Sequence, residues 1–160
     1  MTNAADITVS GGAHVWGVTQ RDILQLRRNT GSLTLDTGQL PLDGPLVTTG
    51  RITVVNGGVL HAEQGLTQEP APAGAPPPAI AIRGSYPGAQ VSQIAVGTGG
   101  LTLTAGTLAG DGLVWGPGGI TNTGDVVIPD PTLSIDESGY TRPTPARSPS
   151  RSPTQRTPRR

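Results

Sequence analysis

A 23-residue pattern occurs twice in the chain and constrains its fold more than any other feature. The first copy, GSLTLDTGQLPLDGPLVTTGRIT, spans residues 31–53, and the second, GGLTLTAGTLAGDGLVWGPGGIT, spans residues 99–121. Eleven of the 23 positions are identical, whereas a chance alignment in a chain of this composition gives about two matches. Both copies place short Leu-Thr-Leu and Ile-Thr steps between glycines. This alternation predicts short β-strands joined by turns.

The composition leaves little material for a large hydrophobic core. Only 34% of the 160 residues are hydrophobic, there is no Phe, and 24 Gly with 16 Pro make up a quarter of the chain. A layered β structure tolerates this balance because small aliphatic side chains fill its interior and glycines form its turns. Cysteine is absent, so no disulfide supports the fold, and we expect oligomerisation to supply stability instead.

Turn signals and a proline-rich string divide the chain into predicted units. These are a β lobe at 1–69, a linker at 70–79, a second β lobe at 80–140 and an extended arm at 141–160. The linker, PAPAGAPPPA, favours polyproline II because its five prolines have a fixed φ and cannot donate backbone hydrogen bonds. The predicted strands are Ile7–Val9, His14–Val18, Ser32–Leu35, Leu46–Thr48, Arg51–Val55, Val59–His61, Ala79–Arg83, Gln93–Val96, Gly100–Thr104, Gly112–Trp115, Gly119–Asn122, Asp125–Ile128 and Thr132–Ile135.

Two local predictions go with these strands. Asn56-Gly57 stands between two predicted strands and is the strongest signal for a β-hairpin, since both residues accept a positive φ. Gln20–Arg28 fits neither a helical nor a strand period well, so the sequence leaves both structures open for it.

The spacing from Leu-Thr-Leu to Ile-Thr is 19 residues in both copies, which is close to one turn of a β-solenoid. The strings GGLTLTAGTLAGDGLVWGPGGITNTGDVVI and GRITVVNGGVL resemble the passenger-type β-helix repeats of autotransporter adhesins, and they also resemble parts of phage spike and fibre proteins. The expected fold is all-β, with two tandem duplicated β lobes and an extended C-terminal arm. Each lobe is expected to be β-solenoid-like or an antiparallel sandwich or barrel.

No motif for catalysis or for metal binding is found in the sequence. The glycine-rich strings at 97–100 and 116–119 lack the Lys of a phosphate-binding loop and are predicted to be turns. His14 and His61 have no second ligand at metal-binding spacing. The repeated Asp43-Gly44 and Asp111-Gly112 pairs are interpreted as Asx-type turns rather than as catalytic carboxylates. We therefore expect no enzyme activity, no metal and no cofactor.

The zero net charge conceals two opposite parts of the chain. Residues 1–141 hold all 11 carboxylates and five Arg, whereas residues 142–160 hold six Arg and no acid. Arginines spaced among Pro, Ser and Thr predict an extended arm whose guanidinium groups bind carboxylates or phosphates. Three roles stay open for the arm: a solubilising tail, a clamp on an acidic protein surface, and a salt-sensitive, sequence-blind nucleic-acid contact.

The two tryptophans are the other predicted interaction residues, because aromatic side chains are enriched at protein interfaces. The alternative is that each tryptophan caps the thin core of its own lobe. The full set of predicted partner-binding residues is Arg142, Arg147, Arg151, Arg156, Arg159, Arg160, Trp16 and Trp115.

These observations, taken with the resemblance, predict a structural virion protein. The expectation is a phage capsid decoration, cement or spike protein that multimerises and clamps neighbouring subunits, with further copies, the major capsid protein or another virion protein as partners. The alternatives are an adhesin-like β-solenoid binding module and a nucleic-acid-binding protein that acts through its arm. The string MTNAADITVSGG has neither a basic nor an apolar leader segment, and no apolar run approaches a membrane span. The expected location is therefore the virion, after synthesis in the host cytoplasm, without membrane contact.

Overall fold

The computed structural model describes residues 1–10, 26–42, 44–84, 91–127 and 133–135, and within these ranges it contains strands and turns but no helix. The strands are β1 (Thr2–Asn3), β2 (Asp6–Ser10), β3 (Arg28–Asn29), β4 (Ser32–Asp36), β5 (Gln39–Pro41), β6 (Leu46–Thr48), β7 (Arg51–Val55), β8 (Val59–Ala62), β9 (Leu66–Gln68), β10 (Ala79–Arg83), β11 (Gln93–Val96), β12 (Leu101–Gly110), β13 (Leu113–Trp115), β14 (Ile120–Val127) and β15 (Ser134–Ile135).

These strands form two sheets in which every strand pair is parallel. The larger sheet has ten strands and the smaller has five, in the order β5-β8-β11-β13-β15. In the larger sheet, the first half of β12 pairs with β9 and its second half pairs with β10. The larger sheet therefore has two arms that meet along β12. The first arm contains β2, β4, β7 and β10, and the second arm contains β1, β3, β6 and β9. The tenth strand, β14, pairs with both halves of β12, and its first residues, Ile120 and Thr121, continue the second arm.

The chain visits the two arms and the small sheet in a repeating order. It runs through β4, β5 and β6, after which β7 pairs with β4, β8 with β5 and β9 with β6. The spacing of 19 residues seen in the sequence is the consequence of this order, because Leu33 lies beside Ile52 and Leu101 lies beside Ile120 in adjacent strands.

The predicted fold class is wrong in its arrangement of the strands, although the described residues contain strands and no helix, as the all-β prediction requires. Strands on the two sides of the proline-rich segment pair directly with one another, as β7 does with β10, β8 with β11 and β9 with β12. The chain thus forms one large parallel sheet and a second, smaller parallel sheet. It does not form the two tandem lobes that were predicted, each of them β-solenoid-like or an antiparallel sandwich or barrel. The prolines at 70–78 prevent strand pairing only within their own segment, which connects β9 to β10 while the pairing resumes beyond it.

The core is built from inward-facing aliphatic side chains that stack in three columns, one on each arm and one on the small sheet. Because side chains alternate between the two faces of a strand, every second residue points into the interior. The twelve column residues are at most 6% exposed. They are Leu33, Ile52, Ile80 and Leu108 in the first arm, Leu46, Leu66, Leu101 and Ile120 in the second arm, and Leu40, Leu60, Ile94 and Val114 in the small sheet.

The two copies of the sequence repeat occupy these columns with a rotation of one position. Leu33 lies in the first arm but its counterpart Leu101 lies in the second arm, and Leu40 in the small sheet corresponds to Leu108 in the first arm. Each repeated leucine stays in the core, but the two copies place it in different columns. The repeat therefore encodes a strand-and-turn pattern that fits any of the three columns, and it does not mark the boundaries of a lobe.

The glycines shared by the two copies lie where neighbouring turns of the chain approach closely. A Cβ built on Gly31 would clash with the carbonyl oxygen of Ala5, and one built on its counterpart Gly99 would clash with the carbonyl oxygen of Gln64. Any side chain at these positions would push adjacent backbones apart. Glycine is required there by the close stacking of the turns.

The predicted hairpin at Asn56-Gly57 is also wrong. Both residues have positive φ, 52° and 81°, as the sequence indicated. However, the strands that they join, β7 and β8, belong to different sheets. The dipeptide forms a corner between the first arm and the small sheet, because its backbone conformation permits a sharp turn without specifying which strands pair.

A row of buried polar side chains, here called the polar ladder, continues through the second arm next to the aliphatic column. It consists of Asn3, Asn29, Thr48 and Gln68, which occupy register-paired positions on successive strands. The Nδ2 of Asn3 donates to Oδ1 of Asn29 at 2.9 Å, and Nδ2 of Asn29 donates to Oγ1 of Thr48 at 3.1 Å. These two bonds satisfy groups that would be costly to bury alone, and they join three successive strands, β1, β3 and β6. Gln68 continues the row on β9 and donates from Nε2 to the carbonyl oxygen of Ala105 at 2.7 Å.

Candidate interaction surfaces

The structure places one of the predicted partner-binding residues, Trp115, on an outer surface. Trp16 and the six arginines of the arm lie outside the described residues, as do His14, Asp43 and residues 20–25 of the segment for which helix and strand were left open. Arg28, the last residue of that segment, belongs to β3.

Trp115 ends strand β13 and points away from the core. Its neighbour Val114 is fully buried in the small-sheet column, so alternation along the strand turns the indole outward, where it is 40% exposed. The indole Nε1 donates a hydrogen bond of 2.9 Å to Oε1 of Gln93 on the adjacent strand. This bond holds the ring against the sheet and leaves part of the ring accessible.

Trp115 lies in a row of side chains that cross the outer face of the small sheet. In register, Pro41 pairs with His61, His61 with Ala95, and Ala95 with Trp115. We call Pro41, His61, Gln93 and Trp115 the Trp115 face. These four residues include no Asp, Glu or Arg, and the rigid strands beneath them fix their spacing. A sheet face with a partly exposed tryptophan and no Asp, Glu or Arg has the composition of a protein interface centre.

The carboxylates that the structure describes do not converge on one another. In the residues described, no group of three His, Asp or Glu side chains could hold a metal ion. Asp36 Oδ1 accepts a bond of 2.8 Å from Asn56, and Asp111 Oδ1 accepts one of 2.9 Å from the backbone of Gly84. Both carboxylates therefore tie neighbouring turns of the chain together. The two glycine-rich strings form turns, in which Gly100 and Gly119 have φ of 69° and 66°.

The described residues form two cavities on the outside of the first arm, and the sequence interpretation did not identify either of them. One, of about 480 Å³, lies between the proline-rich segment and the strand starts at Ser32 and Arg51. The other, here called the corner cavity, has a volume of about 540 Å³ and lies where the first arm turns into the small sheet. It is lined by Asn56, Ala81, Arg83, Gly84, Ala109, Gly110 and Asp111.

The residues of the corner cavity are brought together only by strand pairing. Asn56, Arg83 and Asp111 are 27 and 28 positions apart in the sequence, and each follows or ends a different strand. The available sequence signal was the recurrence of a turn dipeptide after each strand of the first arm. Without the register of the strands, that signal could not show that these turns share one corner.

Within the described part of the chain, no helix is long and apolar enough to cross a membrane. Comparisons with protein-family models, with curated proteins and with solved structures find no match to this chain. Any assignment of function therefore depends on the surfaces described above.

Proposed function

We propose that the protein is a structural subunit of a multisubunit assembly and that the Trp115 face is one of its contact surfaces. The single observation that carries this proposal is the 40% exposure of Trp115 on the outer face of the small sheet. Tryptophan is the residue type most enriched among those that dominate binding energy at protein interfaces. Its indole is already held by Gln93, so little side-chain freedom is lost on association.

The arginine-rich arm supplies the second contact in this proposal. Six guanidinium groups between 142 and 160, without a carboxylate among them, are attracted to the excess of acidic residues in 1–141 of a neighbouring copy or to another acidic subunit. The Trp115 face contributes apolar burial, and the arm contributes long-range charge attraction. In its most specific form the proposal is a phage capsid decoration, cement or spike protein, with capsid subunits and further copies as partners.

The first test concerns Trp115. We expect the Trp115→Ala variant to raise the dissociation constant of the self-assembled form about 30-fold or more, as loss of an interface tryptophan typically does. Sedimentation velocity over a concentration series measures this change. Thr121→Ala, an exposed substitution on the second arm, is the matched control and should assemble as the unmodified protein does. Equal assembly of the Trp115→Ala variant, or a monomeric unmodified protein at every concentration, would contradict the proposed contact.

Deleting residues 142–160 separates assembly from nucleic-acid binding. If the arm clamps protein subunits, its loss weakens association most at low salt, where charge attraction is strongest. If the arginine-rich arm binds phosphates, the deletion leaves assembly unchanged but abolishes polynucleotide binding. In the full-length chain, polynucleotide binding then weakens steeply as the salt concentration rises. The second result would replace the assembly role of the arm with a nucleic-acid contact.

A further inference from the structure

The corner between the first arm and the small sheet contains the one Asn-Gly pair of the sequence. The other three asparagines, at positions 3, 29 and 122, are followed by Ala, Thr and Thr. In an Asn-Gly pair the backbone nitrogen of the glycine can attack the side-chain carbonyl carbon of the asparagine, and glycine hinders this attack least because it has no Cβ. Asn56 is exposed, so water reaches its side chain. The corner therefore carries the reactive groups of a deamidation site.

Deamidation at this pair takes two steps. In the first step a bond forms between Gly57 N and Asn56 Cγ in the place of the Gly57 N–H bond. The Cγ–Nδ2 bond breaks, and the side-chain nitrogen leaves as ammonia with the proton from Gly57 N. In the second step water opens the resulting succinimide ring at one of its two carbonyl carbons and leaves aspartate or isoaspartate at position 56.

In the folded protein the two reacting groups are bonded to different partners. Asn56 Nδ2 donates to Oδ1 of Asp36 at 2.8 Å, and Gly57 N–H donates to Oγ of Ser92 at 3.0 Å. Asp36 ends β4, which precedes this corner in the chain, whereas Ser92 stands directly before β11, which follows it. Because the new bond replaces the Gly57 N–H bond, ring closure requires that this N–H turn from Ser92 toward Asn56 Cγ.

Ser92 is a fixed partner for the Gly57 N–H. Its side chain is fully buried, and its hydroxyl donates to the carbonyl oxygen of Arg83 at 2.6 Å. The hydroxyl proton is therefore engaged, and Oγ accepts from Gly57. Breaking this bond leaves a buried oxygen with one partner fewer, so the reaction first needs a local opening of the corner.

We propose that Asn56 is a latent deamidation site and that the bonds to Asp36 and Ser92 suppress the reaction while the corner is closed. Once the corner opens, the modification prevents it from closing again in the same form. A carboxylate at position 56 has no N–H to donate to Asp36 and places a second negative charge beside it. Isoaspartate also adds a backbone atom to the turn between β7 and β8. This site includes neither the Trp115 face nor the arm, so it is independent of the assembly contacts.

The test follows deamidation of the full-length protein in mildly alkaline buffer, with and without urea. Peptide mapping by mass spectrometry measures conversion at position 56, and chromatography separates aspartate from isoaspartate. We expect conversion to be at least about tenfold slower in the folded protein than in urea, because only the open population reacts. Ser92→Ala and Asp36→Ala should each raise the rate in the folded protein about fivefold, the population change expected from losing one hydrogen bond.

Thr104→Ala is the matched control, because it removes a hydroxyl bond to the carbonyl oxygen of Gln68, a bond that involves none of the corner residues. It should leave the rate at Asn56 unchanged. The proposal is overturned if Asn56 converts equally fast with and without urea, or if Ser92→Ala and Asp36→Ala convert no faster than Thr104→Ala. Urea unfolding curves of each variant identify the conditions in which it is folded, so that rates are compared between folded proteins.

Discussion

Replacing Ile52 by alanine is expected to lower the free energy of unfolding by about 2–5 kcal/mol, the range measured for truncation of buried aliphatic residues. Ile52 is fully buried in the first-arm column, between Leu33 on one neighbouring strand and Ile80 on the other. Its loss leaves a cavity that the two fixed strands cannot close, since their backbones are held by parallel pairing. Urea unfolding followed by circular dichroism measures the change.

Thr53→Ala is the control, because Thr53 is the next residue on the same strand and points to the outer face. We expect it to cost less than about 1 kcal/mol, the span of strand propensities. Equal destabilisation by the two substitutions would show that the inward and outward faces of β7 have been assigned incorrectly.

The second large effect is expected at the centre of the polar ladder. Asn29 is fully buried, its Nδ2 donates to Thr48 Oγ1 and to the carbonyl oxygen of Arg51, and its Oδ1 accepts from Asn3. The Asn29→Ala substitution removes these three bonds, so that Thr48 Oγ1 and the carbonyl oxygen of Arg51 lose this donor and Asn3 Nδ2 keeps only its bond to the carbonyl oxygen of Ser32. Because each unsatisfied buried group costs about 1–3 kcal/mol, we expect a loss of roughly 3 kcal/mol in the free energy of unfolding.

The adjacent substitution Arg28→Ala provides a matched comparison on the same short strand. Arg28 forms an ion pair with Glu69 at 3.7 Å, and both side chains are more than 40% exposed. Exposed pairs of this kind contribute about 1 kcal/mol or less. A denaturation midpoint that falls as far for Arg28→Ala as for Asn29→Ala would contradict a specific role for the polar ladder.

Local sequence patterns predicted many of the strands but not their arrangement. Arg51–Val55 and Ala79–Arg83 have the predicted bounds, because alternation of polar and apolar residues is visible over five positions. The pairing of these two strands is not visible, since it joins residues 28 positions apart across the proline-rich segment. The sequence prediction treated those prolines as the end of a lobe, although they prevent strand pairing only within residues 70–78.

Short strands were missed where their residue types oppose the usual strand signals. β5 ends at Pro41, and β9 ends at the buried Gln68, so neither segment has the apolar alternation of its neighbours. β9 forms because β6 and β12 pair with it on either side, and β5 forms by pairing with β8 at the end of the small sheet. Whether such a segment forms a strand is therefore determined by its tertiary pairing and not by its local propensity.

The candidate surfaces divide in the same way between what local patterns can and cannot indicate. Trp115 was identified from its residue type alone, and its exposure follows from its position one residue after the buried Val114. The corner cavity was not identified, because Asn56, Arg83 and Asp111 belong to three separate turns that only the register brings together. Sequence patterns thus identify single residues of unusual type, whereas a composite site requires the pairing of the strands.

The most direct test of the central claim, that one set of parallel sheets continues across the proline-rich segment, is disulfide formation in the double variant Thr53→Cys/Ala81→Cys. These residues are register partners on β7 and β10 and both lie on the outer face. Adjacent strands are about 4.8 Å apart, which is within the range that a disulfide spans. The chain has no cysteine of its own, so any disulfide within one molecule must join the two introduced cysteines.

The comparison variant is Thr53→Cys/Ala109→Cys, in which Ala109 lies on the far side of Ala81 and the separation is about two strand spacings, too long for a disulfide. Intact mass after mild oxidation of the dilute protein distinguishes the closed from the open form. Continuous parallel sheets predict an intramolecular disulfide in the 53/81 variant and free thiols in the 53/109 variant. Free thiols in the 53/81 variant, or closure of both pairs to the same extent, would contradict the pairing of β7 with β10.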